Sequence, residues 1–193
     1  GTLFYTNTCT IQPRAAIEGY WERKPTLEEQ THLLYKRADI PDAFDYRSAD
    51  ISAYHMWMIF ERAISRHDRE KGLFVLSQET GDPLGAYGVK KYVLWNTVEG
   101  MTRPGQWYVD RVEGRVYYWP LPGEDLGKLS VVIPSKMNVL RISGTQQAPA
   151  KHIAIEGLSF KATTVPLVKE GWIAMSYDGA VRVEQTEDVT LKG

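Results

Sequence analysis

The sequence predicts a mainly β chain: an antiparallel, barrel- or sandwich-like domain over residues 1–125, followed over 126–193 by a β-solenoid. Three observations predict it. Apolar residues alternate in short runs bounded by turn residues. Two pairs of these runs read as hairpins. A two-strand unit occurs twice near the C-terminus, the mark of a repeat architecture.

The first copy is Leu140-Arg141-Ile142, Thr145 and His152-Ile153-Ala154-Ile155-Glu156-Gly157. It is echoed by Val181-Arg182-Val183, Thr186 and Asp188-Val189-Thr190-Leu191-Lys192-Gly193. Each copy is two alternating strands joined by a turn, and the first continues into Leu158-Ser159-Phe160. The second turn is five residues shorter, Ile142 to Ile153 standing against Val183 to Val189. Solenoids need several stacked coils and a polar cap. The chain is therefore expected to be a piece of a longer protein, with the faces of Val181, Val183, Val189 and Leu191 left uncovered.

Composition narrows the function class. Hydrophobic residues at 43% and charged residues at 24% are ordinary for a globular domain, and 193 residues suffice for one real core or two small ones. A net charge of −1 carries no footprint for nucleic acid or an anionic membrane. No apolar run reaches the roughly 20 residues of a membrane-spanning helix. With one cysteine, Cys9, no internal disulfide forms. Eleven tyrosines and six tryptophans are a rich supply for sheet packing and for stacking on carbohydrate.

Along the chain, Leu3-Phe4-Tyr5 reads as a short strand and Pro25-Thr26-Leu27-Glu28-Glu29-Gln30 as a helical turn with Pro25 or Thr26 near its start. Pro41 lies in a loop. From Ser52 to Ile64, apolar Tyr54, Met56, Met58, Phe60 and Ile64 alternate as in a strand. His67-Asp68-Arg69-Glu70-Lys71-Gly72 is a polar turn, and Leu73-Phe74-Val75-Leu76 returns as its partner strand. The glycine-rich stretch from Thr80 to Gly88 lacks the strand before and helix after it that a phosphate loop requires. Lys91–Trp95 is a further strand. Gln106–Asp110 and Arg115–Trp119 form a second hairpin around Gly114, which is placed for positive φ. Pro120, Pro122 and Gly123 then break the chain, and the solenoid pattern begins at Lys128.

At this hairpin the residues Pro104-Gly105-Gln106-Trp107-Tyr108-Val109-Asp110, Gly114-Arg115-Val116-Tyr117-Tyr118-Trp119-Pro120 and Pro122-Gly123-Glu124-Asp125-Leu126 carry a resemblance. So do Arg14–Trp21, the span from Tyr54–Trp57 through Ala63–Ser65, which looks like the first hairpin of an insertion domain, and Leu140–Thr145 and Ile153–Phe160. Together they resemble bacterial right-handed parallel β-helix glycoside hydrolases, family 141 and its relatives. The resemblance implies a β-rich insertion domain followed by the first coils of the β-helix. It implies an extracytoplasmic protein acting on complex polysaccharide, with carbohydrate and the remainder of its own β-helix as partners. The catalytic carboxylates would then lie on later coils. The stretch from Thr163 to Asp178 is shorter than in those enzymes, and Val165 stands where they carry an aromatic. A non-catalytic carbohydrate-binding or scaffolding module is the alternative; a polysaccharide lyase is disfavoured because no calcium site or base is legible.

Glycoside hydrolysis needs two carboxyls flanking one bond, and no motif pairs the carboxylates here. Asp178, near Trp172 and Tyr177, is the catalytic candidate, although Asp178-Gly179 reads better as a turn. Glu184, Glu187 and Asp188 read as a solvated edge. Trp107, Tyr108, Trp119 and Trp172 are the candidate substrate-binding residues, with Tyr117 and Tyr118 in the same dense cluster. Alternation puts Tyr117 and Trp119 on one face and Tyr118 on the other, and cross-strand packing is the simpler account of these rings. His32, His55, His67 and His152 show no metal-ligand spacing with each other or with Cys9, and no cofactor is implied. No nucleophile elbow is present.

Overall fold

The computed structural model describes residues 9–10, 24–164 and 179–193. The chain divides into two units, one running to Leu129 and one beginning at Ser130. Leu3-Phe4-Tyr5 and Arg14–Trp21 lie outside the described residues.

In the first unit, Thr26 begins a five-residue helix, α1 (Leu27–Thr31), through a capping box. Its hydroxyl accepts from Glu29 N at 3.3 Å, and the Glu29 carboxylate accepts from Thr26 N at 2.8 Å, satisfying two otherwise orphaned donors. Around this lies an antiparallel, curled sheet, half of a barrel, built from β1 (Cys9–Thr10), β2 (His32–Leu34), β3 (Asp50–Tyr54), β4 (Ile59–Asp68), β5 (Leu73–Leu76) and β6 (Lys91–Trp95). The order is β1-β6-β3-β4-β5-β2, so the expected barrel does not close among these strands, and among the described residues no second large sheet forms a sandwich with it.

The curl originates in β4. Residues 59–63 pair with β3, and residues from 64 onward pair with β5. Between the two halves the register slips past Ser65, whose hydroxyl reaches the carbonyls of Val75 (3.0 Å) and Leu76 (3.3 Å). A bulge of this kind bends the strand and increases its twist, which is how one strand turns a barrel corner.

The run predicted as one strand from Ser52 to Ile64 is two. The chain reverses between β3 and β4, where His55 N donates to Met58 O at 2.8 Å. Met56, whose apolar character implied continuity, sits exposed on this turn beside Trp57. Lys91–Trp95 and the return at Leu73–Leu76 form as predicted, the latter through Gly72 at φ 61°.

The concave face holds the core: Leu33, Ile51, Ala53, Ile64, Phe74, Leu76, Tyr92 and Leu94 from strands, with Tyr35, Ile40, Phe44 and Leu84 from loops. Arg62 is fully buried on this face, its guanidinium bonded to the carbonyls of Glu79 and Glu61. Carbonyl partners make such a charge tolerable away from water.

Outside the sheet, β7 (Trp107–Asp110) and β8 (Arg115–Tyr118) form the expected hairpin, with Gly114 at φ 66°. The predicted solenoid onset at Lys128 is not a strand. Leu126–Lys128 is a 3-10 turn capped by the Asp125 carboxylate, and regular structure resumes only at Leu140.

In the second unit the internal repeat becomes strand pairing. β9 (Leu140–Ser143) pairs in parallel with β11 (Val181–Glu184), and β10 (Ala150–Glu156) with β12 (Thr186–Lys192). Leu140 faces Val181, Ile142 faces Val183, Ile153 faces Val189 and Ile155 faces Leu191, the same alignment the two sequence copies have. Among the described residues the parallel pairing amounts to these two ladders of two strands. Ile142 is buried, Val181 and Val189 are half-buried, and Val183 and Leu191 are exposed.

Gly144 lets the two ladders approach. It donates to Glu184 O at 3.0 Å beside the Ala150 N–Gln185 O bond of 3.1 Å. A methyl group here would overlap the Ala150 amide and the Gln185 carbonyl and come within 2.7 Å of Pro149 Cα. Gly144→Ala is expected to destabilise this unit by about 1–3 kcal/mol, the usual cost of overpacking. Faster hydrogen exchange at amides 181–192, with amides 50–95 unchanged, checks it.

His55 is a second test. It is 6% exposed, stands edge-on to Phe60 at 4.7 Å, and neither ring nitrogen has a partner among the described residues. Burial lowers its pKa from 6.5 to about 4, against a small opposing pull from Asp82. The unfolded chain therefore binds the proton more tightly, and stability falls as pH drops from 6.5 towards 4. Between pH 7.5 and pH 5 this group removes about 2 kcal/mol. His55→Leu should lose that much less stability over the same interval, measured by chemical denaturation at both pH values.

Candidate functional site

The β7–β8 hairpin projects from the convex side of the sheet, and two strands alone are marginally stable in water. A polar anchor joins it to the sheet. Arg111, in its turn, grips Asp50 of β3 through both carboxylate oxygens at 2.7 and 2.5 Å. Its backbone N donates to the Ser48 hydroxyl at 2.8 Å, and its guanidinium also donates to the Ser48 carbonyl at 3.0 Å. Asn96, following β6 at φ 55°, pairs with Val109 through both ends of its amide, at 2.8 and 3.0 Å, and also donates to Ser48 O.

Asp50 has no solvent exposure. Burial raises its pKa even with Arg111 in place, while hydrogen bonding to that carboxylate raises Arg111. The directions are consistent, because leaving water costs the carboxylate more than a guanidinium open to water on one side returns.

Alternation along β3 and β4 puts Ser52 and Glu61 on the same convex face. Trp95 donates to the Ser52 hydroxyl at 3.1 Å. Burial, then the Asp50 charge, raises Glu61 against the opposing hydrogen bond from Ser52. Two carboxyls raised chiefly by burial therefore share one face. Arg111 and the hairpin, however, close Asp50 off from any substrate.

The hairpin itself presents a hollow of about 620 Å³. Tyr108 and Tyr117 pair across the strands with rings stacked at 5.1 Å and 9°. Tyr118, Trp119, Pro120, Val98 and Met101 complete the apolar wall, and Asp110 and Glu113 provide its carboxylates. Asp110 Oδ1 accepts from Val112 N and Glu113 N, both at 2.9 Å, which shapes the turn. Tyr117 donates to Glu113 at 2.8 Å. Tyr118 donates to Glu124 at 2.6 Å, a bond that holds Glu124 below and Tyr118 above its ordinary pKa. Tyr108 is raised chiefly by burial and further by the negative charges of Asp110, Glu113 and Glu99.

Of the sequence candidates, Tyr108 and Trp119 line this hollow, while Trp107, paired across the strands with Tyr118, is not among its lining residues. Asp178 and Trp172 lie outside the described residues. The sequence reading missed Asp110 and Glu113, although their three-residue spacing ahead of Gly114 marks them as turn carboxylates beside the aromatics. It also missed Asp50–Arg111, for which no local signal exists. The rings are neither core nor fully open: Tyr117 is 37% and Trp119 42% exposed. A second exposed pair, Trp57 and Tyr87, meets edge-on at 5.0 Å.

Among the described residues no cluster of three or more His, Cys, Asp or Glu side chains is arranged to hold a metal. No described helix is long and apolar enough to cross a membrane.

No protein-family model matches the chain, and no curated protein matches it. Among solved structures, it is similar to one described as "Glycoside hydrolase", with TM-score 0.50 and 18% identity. The match covers 72% of this chain and 28% of that one. The fold is glycoside hydrolase-like, and the chain spans about a quarter of the length of that structure.

Arg111→Ala leaves Asp50 buried without its partner. A loss of about 3 kcal/mol is expected, the low end for breaking a buried pair because Arg111 is partly exposed. The stacked tyrosines should lose their near-ultraviolet dichroism at lower denaturant than the rest of the sheet. A loss below about 1 kcal/mol contradicts the anchoring role.

Proposed function

We propose that this chain is a carbohydrate-binding region of a larger glycoside hydrolase-like protein, with sugar docking in the hollow on the β7–β8 hairpin. The observation that carries the reading is the wall of stacked Tyr108 and Tyr117 with half-exposed Trp119, edged by Asp110 and Glu113. Apolar faces of sugar rings prefer aromatic surfaces, and their hydroxyls donate to carboxylates. The glycoside hydrolase-like fold supports the same class of ligand.

On this reading the two parallel ladders belong to the first coils of a right-handed β-helix. The whole protein is a bacterial, extracytoplasmic enzyme acting on complex polysaccharide. Its catalytic carboxylates stand on other coils, and this region holds the polymer. The carboxyls that line the hollow are Asp110 and Glu113: Asp110 accepts from two turn amides and Glu113 from the Tyr117 hydroxyl, which leaves one oxygen of each for a sugar hydroxyl.

Titration of intrinsic fluorescence with a panel of soluble oligosaccharides tests this. At least one should bind, and Trp119→Ala or Tyr117→Ala should each weaken it by about 1 kcal/mol, roughly fivefold. Binding that ignores both substitutions moves the site elsewhere. Hydrolysis of aryl glycosides by this chain alone overturns its accessory role.

A further inference from the structure

The hollow is far more negative than the chain that carries it. Asp110 uses one carboxylate oxygen for the turn and Glu113 one for the Tyr117 hydroxyl, and the second oxygen of each has no hydrogen-bond partner among the described residues. Glu99, next to the Val98 wall, uses Oε1 for Asp45 N at 3.1 Å, while its Oε2 is buried with no partner. All three charges act on Tyr108. Arg115 approaches Glu113 only at 3.5 Å and is mostly exposed. Glu99 stands behind the wall and adds to its negative field, while the free oxygens of Asp110 and Glu113 line the hollow itself and favour a ligand that brings positive charge. The aromatic faces favour the same thing, because a cation over a Tyr or Trp ring is attracted by its quadrupole. A metal ion is poorly served, as no three ligating side chains converge among the described residues.

We propose that the hollow selects a cationic sugar, a hexosamine unit whose amine is free and protonated. The ring stacks on the Tyr117–Trp119 wall and the ammonium lies toward Asp110 and Glu113. This rests on the carbohydrate reading above and names its ligand class.

Calorimetric titration with glucosamine oligomers, N-acetylglucosamine oligomers of equal length and oligolysine separates the possibilities. The free-amine oligomer should bind about tenfold tighter than the acetylated one, the scale of a partly desolvated cation–π contact with a carboxylate beside it. Glu113→Gln, which keeps an acceptor for Tyr117, and Asp110→Asn, which keeps the turn, should each remove most of that preference, as should high salt. Retained near-ultraviolet dichroism shows that these variants keep the stacked rings. Equal affinity for both oligomers overturns the selectivity and leaves the carbohydrate reading standing. Binding of oligolysine but of neither sugar overturns both, as does binding of nothing.

Discussion

The buried ion pair between Asp50 and Arg111 is the constraint on which the site depends. It joins a residue of the central strand β3 to the tip of a hairpin that has little means of holding its place. A two-stranded ribbon with half-exposed rings buries too little apolar surface to be stable alone. Directed bonds to Ser48, Asp50 and Asn96 replace that missing core. Such bonds are also geometrically exacting: a bidentate guanidinium–carboxylate contact fixes orientation as well as distance. The tyrosine stack therefore has a defined position relative to the sheet.

The sheet, in turn, is shaped to receive the hairpin. The bulge at Ser65 bends β4, so the concave side closes over the aliphatic and aromatic core. On the convex side Asp50, Ser52, Glu61 and Trp95 form a polar row that a flat, solvated sheet would leave open. Covering part of this row converts a surface carboxylate into a buried one. Its burial is what gives Arg111 its hold.

In the second unit the chemistry is repetitive. Parallel in-register pairing places like residues above one another, which serves apolar ladders well and charges badly. Arg141 lies directly opposite Arg182, and Glu184 bridges both. Lys151 and Glu187, opposite each other in register, form an ion pair, and His152 and Asp188, at left-handed positions, share a hydrogen bond of 2.7 Å. The repeat thus compensates charge locally while Ile142, Ile153, Val181 and Val189 pack.

Much of this was legible in the sequence. Strand alternation located β5, β6, β7 and β8, the stretch Pro25–Gln30 with Pro25 or Thr26 at its start located the only described α-helix, and the aligned copies specified the register of β9 with β11 and β10 with β12. These are short-range patterns, set by side-chain period, turn chemistry and self-similarity, so the local sequence determines them. Alternation alone hid the reversal at His55–Met58, because a turn closed by a backbone bond leaves apolar Met56 and Met58 in phase with the strand pattern. The aromatic wall was visible as a cluster of residues, but whether it was core or surface was not. Only the tertiary structure decided that, by bringing Asp50 and Arg111 together across sixty-one positions and leaving the tyrosines on a separate two-stranded hairpin. No residue carries a local mark of its distant partner, and exposure is a property of the packed molecule.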